Sequence, residues 1–456
     1  MIVVSHRGPY RFDRIDDGGF AVHRGAGGVV SALGPLLAEK AEATWIAAAL
    51  SDDDIAAQAS GATEELDITL HLLALDREQH RMHYDVIANG VLWFVHHGLF
   101  DRTRRPRFDL RFRDAWDAYV AVNDAFAAAV AERAPERDAV LVQDYQLALV
   151  PAQLRARRPD LRIVHFTHTP FAAPDDFTML PRDVGERLLG SLASGPAGFH
   201  TARWADAYAR SAAHALPAGA RFTPPFHASL GPDVASLEEV AASSAARIAG
   251  STLSDLVGER LVIARTDRIE PAKNIVRGFL AFDRLLEARP GLRGRVVFVA
   301  MVYPSRQGMA EYLAYANEVE QAVARINDRW GTRDWQPVIF DDRDDFARSV
   351  AGLQRYDVLL VNAVRDGLNL VAKEGPVVNR RDGLLCLSPE AGAFDELCDA
   401  AIAVHPYDIE QCAGALDTAL ATPLDERALR AAHLRALATA RTPADWLHDL
   451  VRHADQ

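Results

Sequence analysis

The stretch Val361-Asn-Ala-Val-Arg-Asp-Gly-Leu-Asn-Leu-Val-Ala-Lys-Glu374 decides the fold, because its pattern changes twice. It opens on an apolar run typical of a buried strand and passes into a polar turn. Apolar residues at helical spacing follow and predict an amphipathic helix with Asn369 as its N-cap. A strand that leads through a turn into a helix is half of a βαβ unit, so the stretch predicts a parallel sheet.

Other apolar runs repeat this arrangement along the chain, separated by longer helical patterns. Strands that alternate with helices in this way predict parallel sheets throughout. The runs fall into two groups, and the segment between them, Leu216 to Glu239, is rich in Pro, Gly, Ala and Ser and is interpreted as containing the linker. The predicted strands are Ile2 to Ser5, Ala139 to Gln143, Ile163 to Thr167, Val262 to Arg265, Val296 to Met301, Val358 to Asn362, Leu384 to Ser388 and Ile402 to His405.

The domain organisation follows from length and from these groups. With 456 residues the chain is too long for one ordinary core. We predict an α/β protein with two Rossmann-like domains facing a central cleft, because open α/β sheets bind ligands at the carboxyl ends of their strands. The predicted boundaries are 1–232 for the N-terminal domain, 233–435 for the C-terminal domain, and 436–456 for a C-terminal helix that packs back on the N-terminal domain.

Composition limits the possible partners. The net charge of −13 argues against a nucleic-acid backbone, because phosphate binding needs a basic surface. We find no apolar run of about 18 residues that could span a bilayer, and no signal-peptide pattern, so a cytoplasmic protein is expected. A homo-oligomer remains open. Cys386, Cys398 and Cys412 suit neither a disulfide framework nor a zinc site and are interpreted as reduced thiols.

Two segments carry polar groups suited to a sugar nucleotide. In the deciding stretch, the first-turn amides of the helix form a natural seat for a diphosphate. Asp366 can accept hydrogen bonds from sugar hydroxyls, and Glu374 can accept them from a ribose. In the second segment, Arg268 and Lys273 can neutralise a diphosphate leaving group, where negative charge develops. An ordinary capped turn and a solvated loop are the alternatives for the two segments.

Together with a glycine-rich loop at residues 25–28, these segments resemble the trehalose-6-phosphate synthase family of retaining GT-B glycosyltransferases. The resemblance runs from Val3 to the final helix, and the run Arg365 to Glu374 is nearly the family signature. Other matches occur in the same order: Gly27-Gly28, Tyr84, Trp93, Trp116, Asn123, Asp144-Tyr145, His168-Thr-Pro-Phe171, Ser305-Arg306, Glu390-Ala-Gly392 and His405-Pro-Tyr-Asp408.

The resemblance implies a glucosyltransferase that moves glucose from a nucleotide-glucose to glucose 6-phosphate and gives trehalose 6-phosphate. Its partners would be these small molecules, with no nucleic acid and no membrane. The N-terminal domain would bind the acceptor and the C-terminal domain the nucleotide-sugar. No metal and no other cofactor is implied, because the leaving phosphate itself accepts the acceptor's proton during front-side attack. Positioning and charge stabilisation then carry the rate.

The resemblance also implies a role for each matching residue. Residues at the reacting centre would be Arg268, Lys273, Asp366, His168 and Asp144. Residues that bind the donor would be Gly28, Asn369, Leu370, Val371 and Glu374. Residues that clamp the phosphate end of the acceptor would be Arg7, Tyr84, Trp93 and Arg306.

Departures from the family pattern bear on the substrates. Gln143-Asp-Tyr-Gln146 stands for the usual His-Asp-Tyr-His, Glu270-Pro-Ala-Lys-Asn274 for Asp-Tyr-Ser-Lys-Gly, and Ala48 for an acceptor-side tryptophan. The acidic segment Asp342 to Asp345 offers carboxylates to the N1 and N2 donors of guanine. With the Lys273-Asn274 ending it resembles the GDP-sugar branch, so GDP-glucose is favoured over UDP-glucose.

Several alternatives stay open on the sequence. Enzyme rivals are a pseudo-glycosyltransferase that joins a GDP-cyclitol to an aminocyclitol phosphate, and a glucosylglycerol-phosphate synthase. A catalytically silent sugar-phosphate sensor is the alternative from a different class. The Asp-x-Asp pattern within Asp341 to Asp345 is interpreted as a solvated loop rather than a metal site. We interpret His80, His83, His96 and His97 as surface residues.

Overall fold

The structure, a computed structural model, describes residues 1–455 apart from residues 17, 26, 27, 39–42, 218 and 221. It divides into two compact units, the first formed by Met1–Leu230 with Pro443–Gln456 and the second by Gly231–Thr442. Each unit contains a parallel sheet with helices packed against it. The predicted α/β class with two Rossmann-like units is therefore confirmed.

The first unit is built on a parallel sheet of seven described strands in the order β5-β4-β1-β6-β7-β8-β9, with β2 and β3 forming a separate antiparallel hairpin. Its strands are β1 Ile2–Val4, β2 Tyr10–Arg14, β3 Phe20–Arg24, β4 Thr44–Ala48, β5 Thr69–Leu73, β6 Ala139–Gln143, β7 Arg162–Thr167, β8 Ala197–Phe199 and β9 Phe226–His227. Side chains such as Val4, Val140 and Ile163 are almost fully buried. Burial on both faces explains why these strands appear in the sequence as continuous apolar runs.

Helices cover this sheet, and one of them has an unusual form. The α-helices are α1 Gly28–Ala38, α2 Asp52–Ser60, α3 Arg77–Arg81, α4 Trp93–His97, α5 Leu110–Arg133, α6 Val150–Arg157, α7 Pro174–Phe177, α8 Arg182–Leu192 and α9 Ala202–Ala215. Between α3 and α4 the chain forms a π-helical segment, Met82–Leu92. Such segments are rare and frequently lie at functional sites.

The second unit has a sheet of six described strands in the order β12-β11-β10-β13-β14-β15. Its strands are β10 Leu261–Ile269, β11 Val296–Pro304, β12 Val338–Asp341, β13 Val358–Val361, β14 Leu384–Leu387 and β15 Ile402–Ala403. Its helices are α10 Val234–Ala242, α11 Ser244–Val257, α12 Ile275–Ala288, α13 Ala310–Trp330, α14 Phe346–Arg355, α15 Val371–Val378, α16 Phe394–Leu397, α17 Ile409–Ala421 and α18 Leu424–Ala438. All pairings in this sheet are parallel.

The last helix, α19 Pro443–Ala454, belongs to the first unit, where it packs against β6, β7 and α1. Trp446 is fully buried and meets the Phe166 ring edge-on at 5.2 Å between centroids. The boundary differs from the predicted 435/436, because α18 continues to Ala438 and buries Leu434 and Ala438 in the second unit. A proline at the first helical position then begins α19.

Several short elements escaped the sequence analysis. The hairpin of β2 and β3 and the strands β4, β5, β8, β9 and β12 have few residues or little β-branching, so their patterns are weak. The three cysteines are free thiols, as predicted. No helix in the described residues combines the length and apolar character needed to cross a bilayer.

Candidate active site

The second unit brings the predicted donor residues other than Gly28 together at the carboxyl ends of two adjacent strands, β10 and β13. Arg268 lies near the end of β10, beside Tyr303 of β11. The Arg365 to Leu370 turn follows β13, the other neighbour of β10. Because parallel neighbours end at the same edge of a sheet, side chains far apart in sequence meet there.

Lys273 and Asp366 form the centre of this cluster. Lys273 Nζ lies 2.6 Å from Asp366 Oδ2, and the two side chains are only 15% and 16% exposed. Burial by itself lowers the pKa of Lys273, but the carboxylates of Asp366, Asp267 and Glu270 outweigh it and raise the net pKa. The ammonium group is therefore charged at neutral pH. Asn369 also donates from Nδ2 to Asp366 Oδ2 at 3.1 Å, which fixes the carboxylate from a second side.

The turn before α15 has a constrained backbone. Asn369 adopts a left-handed φ of 72°, a conformation that Asn tolerates better than most residues. Helix α15 begins at Val371 with Leu370 in the capping position, one residue later than predicted, while Asn369 Oδ1 accepts a long hydrogen bond of 3.4 Å from the Ala372 amide. The first-turn amides of Leu370 and Val371 therefore lie at the N-terminal end of α15, where anions are favoured.

A close backbone approach holds this turn from below. A Cβ on Gly392 would lie 2.0 Å from the Gly367 carbonyl oxygen, so only glycine fits there. The Asp366 amide donates to the Glu390 carbonyl at 3.0 Å, and the Gly392 amide donates to the Asp366 carbonyl at 3.1 Å. These contacts account physically for the Glu390-Ala-Gly392 match seen in the sequence.

Glu374, the predicted ribose ligand, lies on α15 and is partly buried. Burial raises the pKa of its carboxyl group to about 7. The group therefore changes charge near neutral pH, unlike an ordinary glutamate. Its neighbour Lys373 is buried and pairs with Glu396 at 2.8 Å, which makes it a structural lysine.

Glu270 joins two arginines that the sequence analysis treated separately. Its buried Oε1 lies 3.3 Å from Arg268 Nη1 and 3.2 Å from Arg306 Nη1, and accepts a hydrogen bond of 3.1 Å from Ser305 Oγ. The predicted diphosphate ligand Arg268 and the predicted acceptor ligand Arg306 therefore share one carboxylate oxygen. Sequence reasoning recorded Glu270 only as a departure from the family pattern. Its signal was the spacing of charges in Arg268-Ile-Glu270.

In the first unit, Asp144 combines a strained backbone with a structural hydrogen bond. Its φ of 70° and ψ of 169° lie in a region that is essentially restricted to glycine. Its Oδ1 accepts a hydrogen bond of 3.1 Å from the His168 amide, and its own amide donates to the Phe166 carbonyl at 2.7 Å. Strain of this kind persists only where surrounding contacts over-determine the conformation.

The His168 ring is held between two polar side chains. Its Nε2 lies 2.9 Å from Gln143 Oε1, and its Nδ1 lies 3.0 Å from His200 Nε2. The Gln143 amide nitrogen donates to the Leu141 carbonyl, so its oxygen faces the ring and His168 carries its proton on Nε2. Burial lowers the pKa of His168 to about 3, which keeps the ring neutral. Both ring nitrogens are thus engaged, and the predicted contact with the donor sugar requires one of them to exchange partners.

The predicted acceptor residues of the first unit are divided between surface and core. Arg7 Nη2 donates to Tyr84 Oη at 3.2 Å, and both side chains are accessible. Trp93 is only 2% exposed and stacks on His97 at 4.1 Å between centroids. Arg7 and Tyr84 are therefore accessible to a phosphate, whereas the Trp93 side chain is buried.

Buried polar contacts connect the π-helical segment with the loop after Asp144. Asn89 is fully buried, donates to the Tyr84 carbonyl at 2.9 Å, and accepts from Tyr145 Oη at 2.7 Å. Tyr145 is itself held through its carbonyl, which accepts from Tyr119 Oη at 2.6 Å. Asn89 was not predicted, because a lone polar residue in an apolar helical pattern gives no functional signal.

The prediction that four histidines lie on the surface was wrong. His83, His96 and His97 are 0%, 5% and 7% exposed, and His80 is partly buried. Burial lowers the pKa of His83 to about 4 and of His96 to about 3, and a neutral imidazole is inexpensive to bury when it is hydrogen-bonded. No group of three or more metal-ligating side chains occurs in the part of the chain that the structure describes.

Two predicted features are only partly placed. Gly28 is the first residue of α1, whereas Ala26 and Gly27 of the glycine-rich loop lie outside the described residues. In the acidic segment, Asp345 caps α14 by accepting from the Arg348 amide at 3.1 Å. Asp342 and Asp344 remain exposed.

The model of glycosyltransferase family 20 matches residues 1–456 of this chain. The chain belongs to glycosyltransferase family 20. This confirms the family resemblance seen in the sequence, and it makes the protein an enzyme of the hexosyltransferase kind.

Similar proteins from this family include a trehalose-6-phosphate synthase of Mycobacterium sp. strain JLS, which is 32% identical over 469 residues covering 98% of this chain and 94% of that protein. The alpha,alpha-trehalose-phosphate synthase A (UDP-forming) of Dictyostelium discoideum is 30% identical over 98% of this chain. This chain spans 61% of the length of the Dictyostelium protein.

A solved structure confirms the GT-B fold class. It is an alpha,alpha-trehalose-phosphate synthase (UDP-forming) from Burkholderia xenovorans in complex with glucose-6-phosphate, and the likeness has a TM-score of 0.86 at 26% identity. It covers 100% of this chain and 99% of that one. Both Rossmann-like units of this family 20 chain therefore have their counterparts there.

Proposed function

We propose that this chain transfers glucose from a nucleoside diphosphate glucose to glucose 6-phosphate and releases trehalose 6-phosphate. The observation that carries the proposal is the Lys273–Asp366 pair at 2.6 Å, beside the N-terminal end of α15 and next to Arg268. The cations and the helix end suit a diphosphate, and the fixed carboxylate suits sugar hydroxyls. The names of family 20 relatives support the same reaction.

The proposed chemistry follows from these groups without a metal ion. The bond between the glucose anomeric carbon and the phosphate oxygen breaks, and the acceptor hydroxyl oxygen bonds to the same face of that carbon. The hydroxyl proton goes to the leaving phosphate. Arg268 and Lys273 stabilise the negative charge that develops on this oxygen, a role for which preorganised cations are effective.

The acceptor phosphate is assigned to Arg7 and Tyr84. Arg7 Nη2 lies 3.2 Å from Tyr84 Oη. A guanidinium and a phenol together offer several hydrogen-bond donors to phosphate oxygens. The family resemblance also assigns Arg306 to the acceptor. Its Nη1 is held by Glu270 and by Tyr312 Oη, so its guanidinium is ordered before the substrate arrives.

The identity of the donor base is a finer prediction. The exposed carboxylates of Asp342 and Asp344 support GDP-glucose, because guanine has two donors on its Watson–Crick edge. The names of the Dictyostelium and Burkholderia relatives support UDP-glucose. If the acidic segment binds guanine, the double variant Asp342→Asn with Asp344→Asn should bind GDP-glucose more weakly than the wild type and leave UDP-glucose binding unchanged.

The deciding assay incubates the full chain with glucose 6-phosphate and either GDP-glucose or UDP-glucose, with a chelator present. Release of nucleoside diphosphate and formation of a non-reducing sugar phosphate are followed together. Turnover with one donor supports the synthase and identifies the base. No turnover with either donor, followed by reaction of a GDP-cyclitol with an aminocyclitol phosphate, would replace the proposal with the pseudo-glycosyltransferase.

Donor affinity is expected to rise with pH through about 7. The ionised Glu374 carboxylate accepts hydrogen bonds from the ribose hydroxyls, and its raised pKa of about 7 leaves it increasingly protonated below that pH. Because the protonated carboxyl group must lose its proton before it can accept these hydrogen bonds, the affinity should be roughly tenfold weaker at pH 6 than at pH 8. Calorimetric titration with the nucleotide-glucose, whose diphosphate does not titrate in this range, measures the effect.

The matched control for this titration is Glu374→Gln, which retains an amide oxygen but cannot ionise. Its affinity should be lower and flat over the same range. A wild-type affinity that does not change between these pH values would remove Glu374 from the donor site.

Glu270→Gln is expected to weaken the binding of both substrates. The substitution removes the negative charge that Arg268 and Arg306 share, so the two cations repel each other and lose their common anchor. We expect each dissociation constant to rise by roughly tenfold, typical of a lost charge-assisted hydrogen bond. Titrations with nucleoside diphosphate and with glucose 6-phosphate test this, and Glu270→Asp is the charge-preserving control. An effect on one ligand alone would contradict the shared role.

A further inference from the structure

Four rings form a stack next to Arg7 in the first unit, and no motif predicted it. The stack consists of His6, His80, His83 and Tyr84. The His6 ring lies 4.3 Å from that of Tyr84 and 5.0 Å from that of His80, with planes within 12° and 7° of parallel. His80 and Tyr84 are four residues apart, so they lie on the same side of the helix, and their centroids are 5.9 Å apart.

Hydrogen bonds within the stack determine where its protons lie. His83 Nε2 lies 2.8 Å from the Gln146 carbonyl, which can only accept, so His83 is protonated on Nε2. His6 Nε2 lies 2.8 Å from His80 Nε2, and one of the two must donate. His6 Nδ1 is buried and has no hydrogen-bond partner among the described residues.

The orphan nitrogen of His6 selects one of the two arrangements. A buried N–H without a partner is rarer in proteins than a buried acceptor without one. His6 therefore carries its proton on Nε2 and donates it to His80 Nε2. A neutral His80 must then carry its own proton on Nδ1, and His80 is the half-buried member of the pair that a ligand can reach.

The charge state agrees with this arrangement. Burial, the other two imidazoles and the Arg7 guanidinium lower the pKa of His6 well below its usual value. Burial lowers the pKa of His80, the Asp85 carboxylate opposes this to a lesser extent, and Arg7 adds the smallest effect, again lowering it. Asp85 is itself half-buried, which raises its pKa, and it also lies near Arg81. Both rings are neutral near pH 7.

We propose that His80 is a further ligand of the acceptor phosphate, donating from Nδ1 to the oxygens that Arg7 and Tyr84 bind, with His6 holding it in that tautomer. The inference rests on the proposed function for the location of the phosphate at Arg7. Arg7 contacts Tyr84 through Nη2 at 3.2 Å, and the Tyr84 ring stacks against both His6 and His80. In this proposal one anion is bound by a cation, a phenol and a neutral imidazole N–H.

Two variants of His80 separate the hydrogen bond from the packing. His80→Leu removes the donor, and His80→Asn keeps an N–H close to the position of Nδ1. We expect the dissociation constant for glucose 6-phosphate to rise by roughly tenfold or more in the leucine variant and to stay near the wild-type value in the asparagine variant. Affinity for the nucleoside diphosphate should be unchanged in both. Equal glucose 6-phosphate affinity in the wild type and the leucine variant would overturn the assignment.

A second probe distinguishes this inference from the proposed function. Inorganic phosphate should bind the full chain at the same place and weaken in the leucine variant, even if glucose 6-phosphate is never glucosylated. Long-range proton–nitrogen NMR of histidine-labelled protein should show His80 protonated on Nδ1, with a shift on adding phosphate. A His80 protonated on Nε2, or wild-type protein that binds neither phosphate compound, would refute the role of His80.

Discussion

Lys273→Met is expected to lower kcat by roughly a hundredfold to a thousandfold, the usual effect of removing one preorganised group that stabilises developing negative charge. The methionine has a similar length but no charge. The substitution removes one of the cations that stabilise the departing phosphate. It also deprives Asp366 of the ammonium group that lies 2.6 Å away. The donor KM should change less than kcat, because the charge is greatest in the transition state.

Two control variants show whether the loss comes from chemistry or from misfolding. Lys273→Arg keeps a positive charge, although its planar fork has a different geometry, and should recover part of the activity. Lys273→Met combined with Asp366→Asn removes the isolated carboxylate and should melt at a higher temperature than Lys273→Met alone. A kcat within threefold of the wild type in Lys273→Met would exclude the proposed role of the lysine.

Asp144→Gly and Asp144→Ala are expected to lose activity equally but to differ in stability. Both lack the carboxylate that accepts the His168 amide, so we expect turnover to fall by roughly a hundredfold in each through misplacement of the site. Only glycine relaxes at a φ of 70° and ψ of 169°. The relief of strain exceeds the entropic cost of ordering glycine, so the glycine variant should be more stable than the alanine variant by roughly 0.5–2 kcal/mol.

Denaturant unfolding of the two variants, with kinetics of each, measures both effects. Asp144→Asn provides the control, since it retains an oxygen acceptor while losing the charge. An alanine variant at least as stable as the glycine variant would show that the backbone at this position stores no strain. Retained activity in both would remove Asp144 from the reacting centre.

Much of the donor half of the site was predictable because the relevant residues lie in contiguous segments. A strand followed by a polar turn and a helix indicates a βαβ unit, and such units place their polar turns at the carboxyl edge of the sheet. Arg268, Lys273, Asp366 and Glu374 were therefore recognisable from local pattern. Lys273 and Asp366 are 93 residues apart in the sequence. They can pair because the parallel sheet places β10 and β13 side by side.

The contacts that tune these groups could not be predicted. Glu270 acts on Arg306 because β10 and β11 are neighbours in register, which no local pattern encodes. The His168–Gln143 hydrogen bond likewise depends on the pairing of β6 with β7. Trp93 was predicted from the family resemblance, but its burial depends on the packing of the segment around it.

The sequence by itself determined the α/β class, the family and the positions of the charged groups, because periodicity and motif order are properties of neighbouring residues. The tertiary structure decided which of those groups are neutral, which share a partner and which are buried. It placed four expected surface histidines at least partly in the interior and assembled the stack beside Arg7. Burial and proximity between distant segments control pKa values and hydrogen bonding, and both arise only when the chain has folded.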